Sequence, residues 1–213
     1  MTIKEFKIQY ALGSLSDKAK KDFAYNMNTP IEILEVLSED ENYEVRRNIV
    51  INKNIPIEIL GVLSKDENYM VRSSVARNMN TPVEILEVLS EDKNWHARYG
   101  VAANKNTPIN LLLPLSNDKN TVVKGCVAAN KNTPIRILKT LSKDKDWGVR
   151  YNVVTNKNTP ISILKTLSKD EYYMVRNGVA INESTPIKTL RILRKDKNWY
   201  VRHNVKNNPN YKK

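Results

Sequence analysis

A single cysteine, Cys126, two phenylalanines, three tryptophans and six glycines are spread over 213 residues. One thiol closes no internal disulfide and leaves no thiolate set for an iron–sulfur or zinc-ribbon site. No apolar run approaches the ~18 residues of a membrane span. The opening MTIKEFKIQY alternates charged and apolar residues and has no secretory-leader core. A reduced, cytoplasmic setting is therefore the expectation. Acidic residues are scarce in one half only. Residues 1–106 carry 14 Lys and Arg against 16 Asp and Glu, net −2, whereas residues 107–213 carry 21 against 7, net +14. Such a split fits a polyanionic partner, pairing between copies, or drift of solvated positions. With 40 % hydrophobic residues the chain has enough apolar matter for a core.

What the chain does have is a period. Pro30, Pro56, Pro82, Pro108, Pro134, Pro160 and Pro186 are spaced by 26 residues, which defines seven repeats from 29–54 to 185–210. Residues 3–28 make a degenerate eighth, with Ala19-Lys20 standing where Val45-Arg46 does and Asn26-Met27-Asn28 matching Asn52-Lys53-Asn54. A fixed period of this length marks a solenoid. The expected organisation is an N-terminal cap repeat at 1–28, one solenoid domain of seven repeats at 29–210, and a tail at 211–213.

Each repeat predicts two short helices. Thr29-Pro30 reads as an N-cap followed by proline at the first helical position. Glu32 would close a capping box with Thr29, and Glu84 one with Thr81. Ile55 replaces that threonine in the second repeat, which predicts a weaker start. The first helix runs to about Ser38, with Ile33, Leu34 and Leu37 on one face and Glu32, Glu35 and Glu39 on the other. The second runs from about Tyr43 to Ile51 around a stripe of Val45 and Ile49. Asn52 and Asn54 would end it through a left-handed backbone. Helices this short are not stable alone, so neighbouring repeats must hold them and the array should melt cooperatively.

Some columns barely change. Leu34 recurs as Leu60, Leu86, Leu112, Leu138, Leu164 and Leu190. Asp40 recurs as Asp66, Asp92, Asp118, Asp144, Asp170 and Asp196; Arg46 recurs as Arg72, Arg98, Arg150, Arg176 and Arg202, with Lys124 the exception. An arginine in every repeat is either a phosphate-binding ladder or, the preferred reading, a structural ladder paired with the aspartates of its own or an adjacent turn. Tyr43, Tyr69, Trp95, Trp147, Tyr173 and Trp199 form an aromatic column, broken by Thr121, that reads as seam packing in preference to base stacking.

The Asn-x-Asn-Thr-Pro opening, the Leu-x-x-Leu helix and the Asp40…Val45-Arg46 segment resemble the variant leucine-rich repeats, and the Asp…Val-Arg element is also HEAT-like. The resemblance covers about 185 residues. It implies an all-α fold, a right-handed α-solenoid of paired short helices, the second partly 3₁₀ in some repeats. It implies no single activity, since such solenoids mostly bind macromolecules. Some variant leucine-rich repeat proteins carry an N-terminal cysteine cluster for an iron–sulfur centre. No cysteine precedes Cys126 here, so no cofactor is carried over.

The second helices usually line the concave side of such arrays. Opposite Val45 and Ile49 lie the most variable positions of the repeat. One column runs Glu44, Met70, His96, Val122, Gly148, Met174, Tyr200; the next Arg47, Ser73, Tyr99, Gly125, Tyr151, Asn177, His203; the last Ile51, Arg77, Ala103, Ala129, Thr155, Ile181, Asn207. Candidate contacts for a protein or peptide are Arg47, Met70, Arg77, His96, Tyr99, Tyr151, Met174, Asn177, Tyr200 and His203. Unconstrained surface variation explains the columns equally well.

On the outer face of the first helices the charge changes sign along the chain. The positions of Glu32, Glu35 and Glu39 sum to −6 over the first three repeats and to +8 over the last three. The basic set is Arg136, Lys139, Lys143, Lys165, Lys169, Lys188, Arg191 and Lys195. It suits sequence-independent nucleic-acid binding by residues 133–213. A third reading pairs acidic and basic halves of two antiparallel copies as a homodimer. The fourth repeat breaks several rules together. Pro114 lies inside its first helix and predicts a kink or a shortened helix, with a change of curvature over 107–132. Cys126 stands in a column of small residues and reads as close packing.

No catalytic constellation emerges. The concave columns hold one carboxylate, Glu44, and so no acid–base pair. His96 and His203 are four repeats apart, at ~9–10 Å each too distant to share a metal. HEAT-like DNA glycosylases, the enzymes nearest in architecture, need converging acidic and aromatic residues that this chain lacks. The expectation is a non-enzymatic scaffold without metal or membrane attachment. Lys206 and Asn207, polar where earlier repeats are apolar or small, suit a polar end cap and a natural terminus.

Overall fold

The computed structural model describes residues 1–52 and 54–212, and every regular element in that range is an α-helix. Lys53, used in the repeat comparison, and Lys213, the last residue of the expected tail, lie outside the described residues. Chain packing divides the molecule into two compact units, Met1–Asn106 and Thr107–Lys213. The N-terminal unit holds α1 (Ile3–Ala11), α2 (Asp17–Tyr25), α3 (Ile31–Leu37), α4 (Tyr43–Ile51), α5 (Ile57–Leu63), α6 (Tyr69–Arg77), α7 (Val83–Ser90) and α8 (Trp95–Ala103). The C-terminal unit holds α9 (Ile109–Leu115), α10 (Thr121–Ala129), α11 (Ile135–Leu141), α12 (Trp147–Thr155), α13 (Ile161–Leu167), α14 (Tyr173–Ile181), α15 (Ile187–Leu193), α16 (Trp199–Asn207) and α17 (Pro209–Lys212). The repeat-built, all-α fold follows the proline register throughout. The second helices are α-helical in every repeat, so the 3₁₀ geometry that the resemblance implied is not found among the described residues.

In each unit the second helices form the close row. α2 lies on α4, α4 on α6 and α6 on α8; in the C-terminal unit α10 lies on α12, α12 on α14 and α14 on α16. Within each unit most first helices pack both on the second helix of their own repeat and on that of the repeat before. Ile33, Leu34 and Leu37 on one side and Val45 and Ile49 on the other are almost wholly buried, and the pattern returns in Leu60, Leu86, Leu112, Leu138, Leu164 and Leu190. A seven-residue helix gains nothing like the length needed to stand alone. Burial between helices therefore supplies its stability.

The helix starts differ from the expected ones. Pro30 is itself the N-cap, extended at ψ 146°, and Ile31 opens the helix without a side-chain cap. Proline fixes φ near the value that both conformations share, so its ring serves the boundary as well as the first turn. The capping boxes expected of Thr29 with Glu32 and Thr81 with Glu84 do not form. Thr29 Oγ1 instead donates to the Phe23 carbonyl at 2.7 Å, and Thr81 Oγ1 to Val75 at 2.5 Å. The threonine closes the preceding helix rather than opening the next. That is why Ile55, buried in the same place, leaves α5 as long as its neighbours. Pro114 falls in the last turn of α9, which keeps the seven-residue length seen in α11 and α13, so the predicted shortening is absent. The one left-handed residue among those described is Gly13, φ 66°, in the turn from α1 to α2.

Two side-chain ladders join the repeats. In the first, Arg46 Nε and Nη2 grip the Asp66 carboxylate of the next repeat at 2.6 and 2.9 Å, while Nη1 donates to the Asp40 and Glu41 carbonyls of its own turn at 2.6 and 3.1 Å. Arg72 with Asp92, Arg150 with Asp170 and Arg176 with Asp196 repeat this fork. Lys124 reaches Asp144, and Lys20 reaches Asp40 at 3.0 Å in the degenerate repeat. Arg98 donates to the Asp92 and Lys93 carbonyls, and Arg202 to those of Asp196 and Lys197. Asp118 stands at the same turn position in the fourth repeat, its backbone N–H on the Leu115 carbonyl at 3.2 Å.

Burial pushes the pKa of Asp92, Asp144 and Asp196 up. The paired cation and a backbone N–H two residues on outweigh that push and hold Asp92, Asp144 and Asp196 below the usual aspartate range. A depressed folded pKa contributes stability above the unfolded value and loses it as pH falls through the folded one. Denaturation midpoints should therefore stay level from neutral pH to about pH 5 and fall steadily below about pH 4. Urea titrations across that range check this, and a midpoint indifferent to acid would contradict it.

The second ladder is made of asparagine. Asn52, Asn78, Asn104, Asn156, Asn182 and Asn208 are C-caps with extended backbones (Asn52 has φ −65°, ψ 121°), not the left-handed ends expected. Asn156 Nδ2 donates to the Ala128 and Asn130 carbonyls of the previous repeat at 2.7 and 3.0 Å, and its Oδ1 accepts from the Asn158 N–H at 2.9 Å. Asn104, Asn182 and Asn208 repeat the double donation. Helix-end carbonyls that would otherwise lack partners are satisfied by the neighbouring repeat.

Candidate functional site

The second helices of the N-terminal unit bring four of the variable-column residues into one groove. Arg47, Met70, Arg77 and His96 line an opening of about 250 Å³ together with Tyr69, Ser73 and Ser74. Next to it, Arg47, Ile51, Arg77, Met79 and the α6 C-cap Asn78 line a larger one of about 530 Å³. Ile51 and Met79 stand about half exposed there, 49 % and 46 %. The apolar part of the lining is Val50, Ile51 and Met79.

The charges of the groove are one-sided. Glu44, its lone carboxylate among the variable columns, is taken by Lys21. Arg77 lies over the Tyr99 ring, 4.8 Å from its centroid, and Arg47 is exposed. Neither arginine pairs with a carboxylate among the described residues. His96 is held between rings, 3.7 Å from Trp95 and 4.9 Å from Tyr69, with Nδ1 3.0 Å from Asn94 Oδ1. Gly100 lets α8 approach α6: a Cβ there would stand 2.8 Å from the Ser73 carbonyl oxygen.

Tyr99 and the five residues of the set that lie in the C-terminal unit line neither of these openings. In the C-terminal unit Tyr151 is half-buried, its ring 3.3 Å from where a Cβ on Gly178 would be. Asn177 accepts from Asn204 at 2.7 Å. Met174, Tyr200 and His203 are exposed, with Trp199 stacked on Tyr200 at 4.0 Å and edge-on to His203 at 5.8 Å. A groove of this unit, about 220 Å³ between Thr155, Lys157, Ile181 and Glu183, contains none of these five.

On the first helices of the same unit Arg136, Lys139, Lys143, Lys165, Lys169, Lys188, Arg191 and Lys195 are all exposed, and none meets a carboxylate among the described residues. The aromatic column departs from its seam reading. Tyr43, Tyr69 and Trp95 are partly covered, but Trp147, Tyr173 and Trp199 stand in the open. They occupy the first position of their helices, after the caps Asp146, Tyr172 and Asn198. Cys126 is half-buried in α10. Among the described residues no group of three or more His, Cys, Asp and Glu converges on a metal position, and no helix is long and apolar enough to cross a membrane.

Recurrent side chains turned inward to hold repeats together, with variable ones turned outward, define a helical repeat protein. Among solved structures the chain is similar to "a leucine-rich repeat variant with a novel repetitive protein structural motif", at 26 % identity and a TM-score of 0.67, over 93 % of this chain and 78 % of that one. The chain thus has the architecture of a leucine-rich repeat variant. An engineered protein is 13 % identical with a TM-score of 0.47, over 95 % of this chain and 77 % of that one. No protein-family model and no curated protein matches the chain.

Proposed function

We propose that the chain is a non-enzymatic scaffold whose N-terminal unit holds an acidic, partly apolar peptide segment of another protein along α4, α6 and α8. One observation carries the reading: two arginines without carboxylate partners, Arg47 and Arg77, flank exposed Ile51 and Met79 and half-buried Met70 in a groove of about 530 Å³ and its neighbour. The unit as a whole is net negative, so cations left over in its groove are not a by-product of a basic surface. An extended segment would lay apolar side chains on the methionines and isoleucine and present carboxylates to the guanidinium groups, which are suited to forked contacts. His96, pinned between rings, closes one end.

Selection from a random peptide library displayed on phage is expected to return sequences with Asp or Glu beside an apolar anchor. The Arg47→Glu/Arg77→Glu protein should bind those peptides at least 10-fold more weakly, since truncating one close charge contact typically costs upward of 2 kcal/mol. Selected peptides whose affinity ignores both substitutions would end this assignment.

A further inference from the structure

The turns between first and second helices in the C-terminal unit carry a surface that the fold does not demand. In three successive repeats they read Lys143-Asp144-Lys145-Asp146-Trp147, Lys169-Asp170-Glu171-Tyr172-Tyr173 and Lys195-Asp196-Lys197-Asn198-Trp199-Tyr200. The aspartates of this pattern are spent internally. Asp144, Asp170 and Asp196 are 13 %, 6 % and 7 % exposed and bound to Lys124, Arg150 and Arg176, while Asp146 caps α12. The exposed Glu171 has Arg150 Nη2 at 3.6 Å. What remains outside is lysine and aromatic ring, with Glu171, its side chain 76 % exposed, among them.

Those rings are open. Trp147 and Tyr173 are each 37 % exposed, Tyr172 45 %, Tyr200 50 % and Trp199 54 %. Trp147 and Tyr172, from consecutive repeats, lie nearly parallel (19°) with centroids 6.1 Å apart, and Tyr172 is backed by the Arg150 guanidinium at 5.6 Å. The equivalent turns of the N-terminal unit differ in both respects: Tyr43, Tyr69 and Trp95 are partly covered, and the six positions held here by five lysines and Glu171 hold Glu39, Glu41, Glu67 and Glu91 there, with Lys65 and Lys93. The aromatic column is common to both units. Its exposure beside unopposed lysines is confined to one.

From this we propose that the turn edge of the C-terminal unit binds single-stranded nucleic acid, with phosphates on the lysines and bases stacked on the aromatic faces. Every base has a π-face, so an aromatic row separated by the ~10 Å spacing of packed helices tolerates any sequence. A duplex keeps its base faces to itself and would meet only the lysines. An acidic protein would likewise leave flat rings without flat partners. Lys139, Lys165 and Arg191 on the adjoining first-helix faces extend the positive field that guides the strand.

The test uses the full chain and fluorescein-labelled oligo-dT and oligo-U of about 20 nucleotides, with a duplex of the same length as comparator. Anisotropy should show binding to both single strands. Their affinity is expected to fall by roughly 100-fold between 50 and 200 mM salt, as for about five neutralised phosphates at the single-strand slope. Trp147→Ala/Trp199→Ala should weaken binding at least 10-fold with an unchanged salt slope, whereas Trp147→Phe/Trp199→Phe should retain it. Lys143→Ala/Lys195→Ala should flatten the slope by about 0.7 per lysine. Three results would overturn the proposal: no binding at 50 mM salt, duplex bound as tightly as single strands, or affinity unmoved by loss of both rings. Preferential association with phosphatidylserine vesicles would overturn it in favour of a membrane surface.

Discussion

Arg150→Ala is expected to lower unfolding stability by about 3–5 kcal/mol, the usual cost of removing one member of a buried ion pair. The guanidinium does two jobs at once. Its fork closes on Asp170 at 2.7 and 2.9 Å, and its remaining nitrogen serves the carbonyls of Asp144 and Lys145 at 2.8 and 3.0 Å. Truncation strands a carboxylate that is 6 % exposed and leaves two turn carbonyls without their donor. Arg150→Lys keeps a charge near Asp170 but gives up the fork, as Lys124 does in its own repeat. Its loss should be smaller, on the order of 1–2 kcal/mol for the carbonyl bonds forgone. Lys145→Ala, exposed in the same turn, should move stability by no more than about 0.5 kcal/mol. Urea melts followed by circular dichroism give the three values. If Arg150→Ala fell within about 0.5 kcal/mol of Lys145→Ala, the ladder would be ornament and not support.

The ladder was within reach of the sequence because both partners recur at fixed offsets. A charged residue that never varies over solvated repeats has an internal task. The same reasoning recovered the buried Ile33, Leu34 and Leu37 face and the helix spans to within a residue. It failed where one letter serves two backbones. Thr29 before a proline looks like a helix start, yet its hydroxyl turns back to Phe23; both uses need a small hydroxylated side chain in the same place. Asn52 at a helix end reads as a left-handed cap, but the chain leaves extended, and the amide is spent on the previous repeat. Column identity also hid exposure. Trp95 and Trp199 share a position, yet Trp95, against the rings of His96 and Tyr99, is partly covered and Trp199 is 54 % exposed. Of the ten groove residues chosen from the variable columns, the four that converge do so because α4, α6 and α8 lie side by side, which periodicity alone does not reveal.

Asn156→Leu tests the part of the scaffold that the letters concealed. Leucine has the same number and branching of side-chain heavy atoms, so the shape is roughly kept while three polar contacts vanish together. The Ala128 and Asn130 carbonyls lose the Nδ2 donor at 2.7 and 3.0 Å, and the Asn158 N–H loses its acceptor at 2.9 Å. Asn130 still accepts from the Thr133 N–H at 3.1 Å, so its carbonyl is not left alone. The Ala128 carbonyl and the Asn158 N–H lose these bonds outright, at about 1–3 kcal/mol each. A loss of about 3–5 kcal/mol is expected, comparable with Arg150→Ala although no charge is involved. Asn158→Ala removes a more exposed bond to the Lys131 carbonyl at 2.8 Å and should cost about 1 kcal/mol. Because Asn156 ties helix ends of one repeat to the next, amide hydrogen exchange should quicken in both α10 and α12, not in α12 alone. Faster exchange restricted to α12 would mean that the asparagine caps only its own helix, and that hydrophobic burial with the arginine forks is sufficient to join the repeats.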